Sequence, residues 1–247
     1  MLRRCSLSTV FAAALMCLSS ACHADEAGPA REAGERPELG LMGTIPIYWG
    51  EAGDFGEVVA GGSVTHWARP RLESGYRLRP IDTLDGESLA GLDFLMLAQP
   101  RALSPAENVA LDDWVRKGGR LLLFADPMMT GESRFAIGDR RRPQDVILLS
   151  PILAHWGLEL EFDDAVDADY VIASPSGMTI PVRLPGAFVD RDGEADCTID
   201  AEVLAECLIG RGRAVILADA ALLDLHDAHP GAPAALERLV AASFDHE

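Results

Sequence analysis

The sequence predicts an α/β fold: an open, mostly parallel sheet with helices on both faces and a small β-rich excursion. Three observations predict it. Phe94 to Ala98, Leu121 to Ala125 and Arg213 to Ala218 are short and almost wholly apolar, which suits strands buried on both sides of a sheet. A helix-coded segment of about a dozen residues joins the first run to the second, as in a right-handed parallel crossover. The segments KGGRLLLFADP and IGRGRAVILADA share the order glycine, arginine, apolar strand, aspartate. They read as two turns of one sheet and not as a solenoid, because no fixed period runs through the chain.

The elements follow in order. Arg3 and Arg4 precede an apolar run from Leu7 to Leu18, too short to span a bilayer, and small residues continue to Ala24. This is the pattern of an export signal over residues 1–24. It predicts a soluble periplasmic product, with lipidation at Cys22 as the alternative. Residues 25–40 read as a flexible leader, and 41–247 as a single domain. Leu41 to Tyr48 is expected to be the first strand, with Trp49, Glu51 and Asp54 in the loop after it. A short helix near Val64 to Gly75 and a strand over Tyr76 to Ile81 come next. Ser104 caps the crossover helix, Pro105 fits its first turn, Glu107 completes a capping box, and Gly118-Gly119 ends it. A loop over Thr130 to Asp145 carries Phe135 and the triplet Arg140 to Arg142, which reads as solvated.

Ser150-Pro151 opens a short helix closed by Gly157, and Leu158 to Phe162 follows as an edge strand. Residues 163–190, with Pro175, Pro181 and Pro185 among short extended runs, form the β-rich insertion. Asp200 is expected to cap a helix running to Leu208, with Val203, Leu204, Cys207 and Leu208 on its apolar face and Gly210 as its stop. The chain then closes with a strand ending before Asp219 and an amphipathic helix marked by Leu236, Leu239, Val240 and Phe244.

Composition narrows the function classes. The formal charge is −18 and Lys117 is the single lysine, so the chain lacks the basic face that nucleic acid requires. With 49% hydrophobic and 24% charged residues the composition is that of a globular protein. After an export signal is removed, Cys197 and Cys207 remain. In an oxidising compartment they can form a disulfide, and a free buried Cys207 is equally compatible with its apolar neighbours.

Gly118-Gly119-Arg120-LLLFADP, followed by SPILAHWGLELEFDDAVDAD from Ser150 to Asp169, resembles the extracytoplasmic domain of gliding-motility-type ABC transporter auxiliary proteins. The resemblance covers roughly residues 41–225, with Ser150 where asparagine is usual. It implies an amidotransferase-like, or flavodoxin-like, sandwich of the class I glutamine amidotransferase-like superfamily. Enzymes of that superfamily place a cysteine in a sharp strand-to-helix turn and activate it with a histidine. The turn read as the match here is Phe124-Ala125-Asp126-Pro127-Met128, with neither cysteine nor serine, and G-x-S-x-G is absent.

The resulting expectation is a noncatalytic exported binding module with no cofactor and no metal. Its partner is an unknown small molecule or envelope protein, and it meets a membrane only if lipidated at Cys22. Ligands of open parallel sheets bind at the carboxyl ends of the strands. The candidates there are Trp49, Glu51, Asp54, Gln99, Asp126 and Asp219. The competing expectation is a hydrolase using Asp126 or Asp219 with His66 or His155. His226 and His229 lie beside Asp224 and Asp227, but Pro230 follows, and the tract reads as a solvated loop and not a metal site.

Overall fold

Leu121 and Leu123 face one side of the sheet and Leu122 and Phe124 the other, and all four are fully buried, so both faces must be covered. That condition organises the computed structural model, which describes residues 36–51, 56, 64–163 and 169–245. The export signal, Cys22, most of the leader and Asp54 lie outside the described residues.

The main sheet has seven strands: β1 (Glu38–Gly43), β2 (Arg77–Pro80), β3 (Phe94–Ala98), β4 (Arg120–Phe124), β9 (Asp196–Asp200), β10 (Leu204–Ile209) and β11 (Gly212–Leu217). Their order is β2-β1-β3-β4-β11-β10-β9. The first five in this order run parallel, and β10 and β9 are added antiparallel at one edge. Helices α1 (Ala68–Gly75) and α4 (Ala232–Phe244) cover one face through Ala68, Leu72, Leu236, Leu239 and Phe244. Helices α2 (Pro105–Arg116) and α3 (Ser150–Trp156) cover the other through Leu111, Val115, Ile152, Leu153 and Trp156. Each such leucine buried from water contributes roughly 1.5–3 kcal/mol. No helix among the described residues is long and apolar enough to cross a membrane.

The crossover forms as the sequence predicts. Ser104 Oγ accepts the Glu107 amide at 3.3 Å, and Glu107 Oε2 accepts the Ser104 amide at 2.8 Å. Glu107 also takes the Leu84 amide and the Arg101 guanidinium, which holds its carboxyl down at about 2. The insertion contributes β6 (Val171–Ala173), paired with β7 (Ile180–Val182). Its last strand, β8 (Ala187–Asp190), pairs with β5 (Leu158–Glu161) in a second small sheet.

Two expectations are corrected. The first strand spans Glu38–Gly43 and not Leu41 to Tyr48, so it begins inside the supposed leader. Its last residue is glycine, where a Cβ would stand 2.0 Å from the Ala98 carbonyl oxygen. The segment Asp200 to Leu208 is not a helix: β9 turns through Ala201 and Glu202, at φ 48° and 62°, into β10. Ala205, Cys207 and Ile209 alternate into the core, so a period of two prevails over the apparent helical spacing. Cys207 faces Cys197 directly across the pair, and the two form a disulfide.

Candidate functional site

Strand order reverses between β1 and β3, since the chain moves outward from β1 to β2 on one side and from β3 to β4 and β11 on the other. Such a switch point opens a crevice at the strands' carboxyl ends. Here it is bridged by polar groups. Thr44, just after β1, donates from its hydroxyl to the Gln99 carbonyl at 2.5 Å and accepts the Gln144 amide at 2.8 Å. Gln99, just after β3, donates through Nε2 to the carbonyls of Asp126 and Gln144, and its Oε1 accepts the Asp126 amide at 2.9 Å. Every hydrogen-bonding group of that side chain has a partner, and the residue is fully buried.

Gln99 adopts φ 49° between a strand and the helix that begins at Pro105. Hydrolases with a nucleophile elbow place a strained residue just after a strand, although here five residues separate Gln99 from the helix. Gln99 carries an amide. The turn after β4, Phe124 to Met128, leads into a long loop, so neither strand end passes directly into a helix.

Asp126 and Asp219 are brought together by the register of β4 and β11, in which Phe124 pairs with Leu217. Both are buried and both are spent on backbone. Asp126 accepts the amides of Met128 and Ala220 at 2.8 and 3.0 Å. Asp219 accepts those of Arg183 and Ala221, each at 2.8 Å. Burial pushes the Asp126 carboxyl up to about 7 against those amide bonds. It also raises Asp219 well above the ordinary carboxylate value, with the neighbouring Asp126 adding to the effect. Among the described residues no group of three or more His, Cys, Asp or Glu side chains has the arrangement of a metal site.

The histidines of the hydrolase alternative lie elsewhere or are already occupied. His66 is fully buried: Nε2 donates to the Leu223 carbonyl at 2.8 Å and Nδ1 accepts the Ala68 amide at 3.1 Å. Desolvation lowers its pKa to about 4, so the neutral ring is the working form. His155 lies 3.5 Å from Asp112 and beside Arg116, at the end of α2 that leads into β4. That is the amino edge of the sheet, opposite the rim where Asp126 stands.

Among the predicted ligand residues that are described, Trp49 is the exposed one, at 67%. It forms one wall of a cavity of about 450 Å³ beyond the ends of β1 and β2. Leu41, Ile45 and Ile81 lie at its apolar base, and Tyr48, Phe135, Asp82 and Arg141 line it further. This volume lies within the usual range for small-ligand pockets. Tyr48 and Trp49 meet edge to face at 4.8 Å, and the Arg141 guanidinium lies over the Phe135 ring at 4.2 Å. Asp139 grips that guanidinium through both carboxylate oxygens, at 3.1 and 2.7 Å. Glu51, Gln99, Asp126 and Asp219 are absent from the cavity's lining.

The arginine triplet and the tract around His226 are exposed loops as expected, but Arg141 packs on Phe135 and His226 reaches Glu51. Tyr48, Phe135, Asp82 and Arg141 line the cavity without standing among the candidates read from the sequence. The available signal was a long loop at a strand's carboxyl end carrying an aromatic residue and arginines. Two wider depressions exist, a groove of about 860 Å³ between α1 and the segment before α4, and one of about 660 Å³ between α3 and β5. Neither reaches the switch point.

Residues 68–182 match the model of a family described as an ABC-type uncharacterized transport system, an auxiliary family of such transporters. No curated protein matches the sequence. Among solved structures, an exo-β-1,4-mannosidase from Opitutaceae bacterium strain TAV5 is 12% identical, covers 86% of this chain and 37% of its own, and has a TM-score of 0.50. A cytoplasmic protein from Salmonella typhimurium is 11% identical over 84% of this chain and 98% of its own, with a TM-score of 0.47. A ThuA-like protein from Bacteroides uniformis is 8% identical over 88% and 97%, with a TM-score of 0.40. The chain spans about a third of the length of the glycosidases it matches. The mannosidase likeness speaks for the fold alone.

Proposed function

We propose that this chain is an exported, noncatalytic binding module of an ABC-transport or cell-envelope system, a gliding-motility-type auxiliary domain whose small ligand or envelope partner seats against Trp49 in the rim cavity. One observation carries the reading. At the strained residue after β3 stands Gln99, fully consumed by backbone hydrogen bonds, while the open cavity beside it presents an aromatic side chain to solvent. The family match over residues 68–182 supports the association with transport. The Cys197–Cys207 disulfide supports an oxidising compartment, and with it export.

The test is a thermal-shift screen of sugars, peptides and envelope fragments on wild-type protein and Trp49→Ala, run beside esterase, amidase and glycosidase assays with and without divalent metal. The expected result is a ligand that raises the wild-type midpoint and leaves Trp49→Ala unmoved, with no turnover. Turnover abolished by Asp126→Ala would reject the binding-module reading.

A further inference from the structure

Glu51 has the sequence credentials of a ligand contact, yet it is 3% exposed and stands outside the cavity's lining. A buried carboxylate is costly unless its oxygens are met, and here they are met from two distant loops. Oε1 accepts the Ser133 hydroxyl at 2.7 Å. Oε2 accepts the Arg134 amide at 3.2 Å and Nε2 of His226 at 3.1 Å. Ser133 and Arg134 belong to the loop after β4, and His226 to the segment after β11. Glu51 itself follows β1, and its backbone is fixed by a bridge to Val64.

The placement along the chain gives these bonds their meaning. Trp49 lies two residues before Glu51, and Phe135 directly follows Arg134. The two walls of the cavity are thus joined through this carboxylate, in addition to the Thr44–Gln144 bond, a short distance behind the surface that a ligand would touch. Resting on the reading of the cavity as the binding site, we propose that Glu51 is its positioning residue: the carboxylate sets the gap between the Tyr48–Trp49 wall and the Phe135–Arg141 wall without touching the ligand.

The surroundings keep this bond set in its charged form. Burial alone would raise the Glu51 carboxyl, but the Ser133, His226 and Arg134 hydrogen bonds outweigh it and hold it below its ordinary 4.5. Asp224 accepts the His226 and Asp227 amides and so fixes the histidine's backbone. Asp224 and His226 also bear electrostatically on His66, which stays neutral behind them. The strap is therefore present at neutral and mildly acid pH, and is lost as pH falls through the lowered pKa of Glu51.

The test combines two measurements on the full chain at neutral pH. Hydrogen exchange is followed in segments 44–51, 129–141 and 222–229, and the apolar anionic probe anilinonaphthalene sulfonate is titrated into the protein. In Glu51→Gln the exchange of all three segments should rise about tenfold while β3 and β4 keep their protection, and probe affinity should fall about tenfold. Acidifying the wild type below the usual carboxylate range should speed the same segments relative to intrinsic exchange, with Glu51→Gln flat by comparison. His226→Gln, which keeps a side-chain N–H donor, should stay near wild type. Unchanged exchange in 129–141 and 222–229, or undiminished probe affinity with the walls intact, would overturn the proposal. If Glu51→Gln exposes β3 and β4 as well, His226→Ala takes its place, with the same expectation for 222–229 and 129–141. Probe binding that survives Trp49→Ala would instead fault the cavity reading, and the exchange arm still decides the strap.

Discussion

Asp126, Asp219 and His66 pull stability in opposite directions with pH. The two aspartates have folded pKa values raised above the ordinary 3.8 by burial, and Asp219 is raised also by Asp126. Their protonated forms are favoured in the fold, so stability falls as pH rises through about 7, the value for Asp126. His66 is depressed from 6.5 to about 4 by desolvation. It adds stability above 6.5 that is lost as pH falls toward 4. Between those limits the effects oppose, and above pH 6.5 the aspartate pair acts without His66. The melting temperature should therefore drop from about pH 6.5 to about pH 8, and the drop should flatten in Asp126→Asn. Asparagine turns an N–H toward a backbone donor and lowers the absolute stability, so the slope is the quantity to compare, by circular dichroism at each pH. A wild-type midpoint that stays level or climbs over that interval would contradict the assignment. Residue chemistry of this kind was half legible: aspartates after two apolar strands announce strand-end acids, but nothing local says whether they meet backbone or ligand.

At the scale of elements, legibility followed how local the signal was. The crossover helix was readable to the residue because Ser104, Pro105 and Glu107 act within one turn. Strands β3, β4 and β11 are readable because burial on both faces leaves polar positions only at Arg120 and Arg213, near the starts of β4 and β11. The β9–β10 pair was missed because its turn carries no glycine or asparagine. Ala201 and Glu202 take positive φ under tertiary constraint, with the Glu202 carbonyl accepting the Phe188 amide at 2.7 Å and the Val203 carbonyl accepting that of Ala218 at 2.8 Å. Gly210 ends a helix or opens a hairpin equally well, and here at φ 61° it opens the hairpin into β11. The disulfide spans ten residues at this sheet edge. Replacing both cysteines by alanine should cost about 2–3 kcal/mol in urea unfolding, from the loop-closure entropy returned to the unfolded chain. The same assay under reducing conditions should lower the wild type to the double variant's midpoint. Free thiols at Cys197 and Cys207 in unreduced, denatured protein would contradict the bridge.

For the whole molecule, the topology puts the functional question at one place. The loops after β1, β4 and β11 all emerge on the carboxyl edge, where the switch between β1 and β3 is filled by Thr44, Gln99 and Gln144 and the cavity opens to one side. The sequence located that edge and named Trp49, but it could not separate residues that line the cavity from those buried behind it. That distinction depends on which side chains find backbone partners after the loops pack. Trp49, exposed to solvent, should be replaceable by alanine within about 0.5 kcal/mol of wild-type stability while ligand binding is lost. The most direct measurement is a hydrogen-exchange footprint of the full chain with a ligand that raises its melting temperature. New protection is expected in residues 44–50 and 135–141, absent in Trp49→Ala. Protection confined to the groove between α3 and β5, or to the β9–β10 edge, would contradict it.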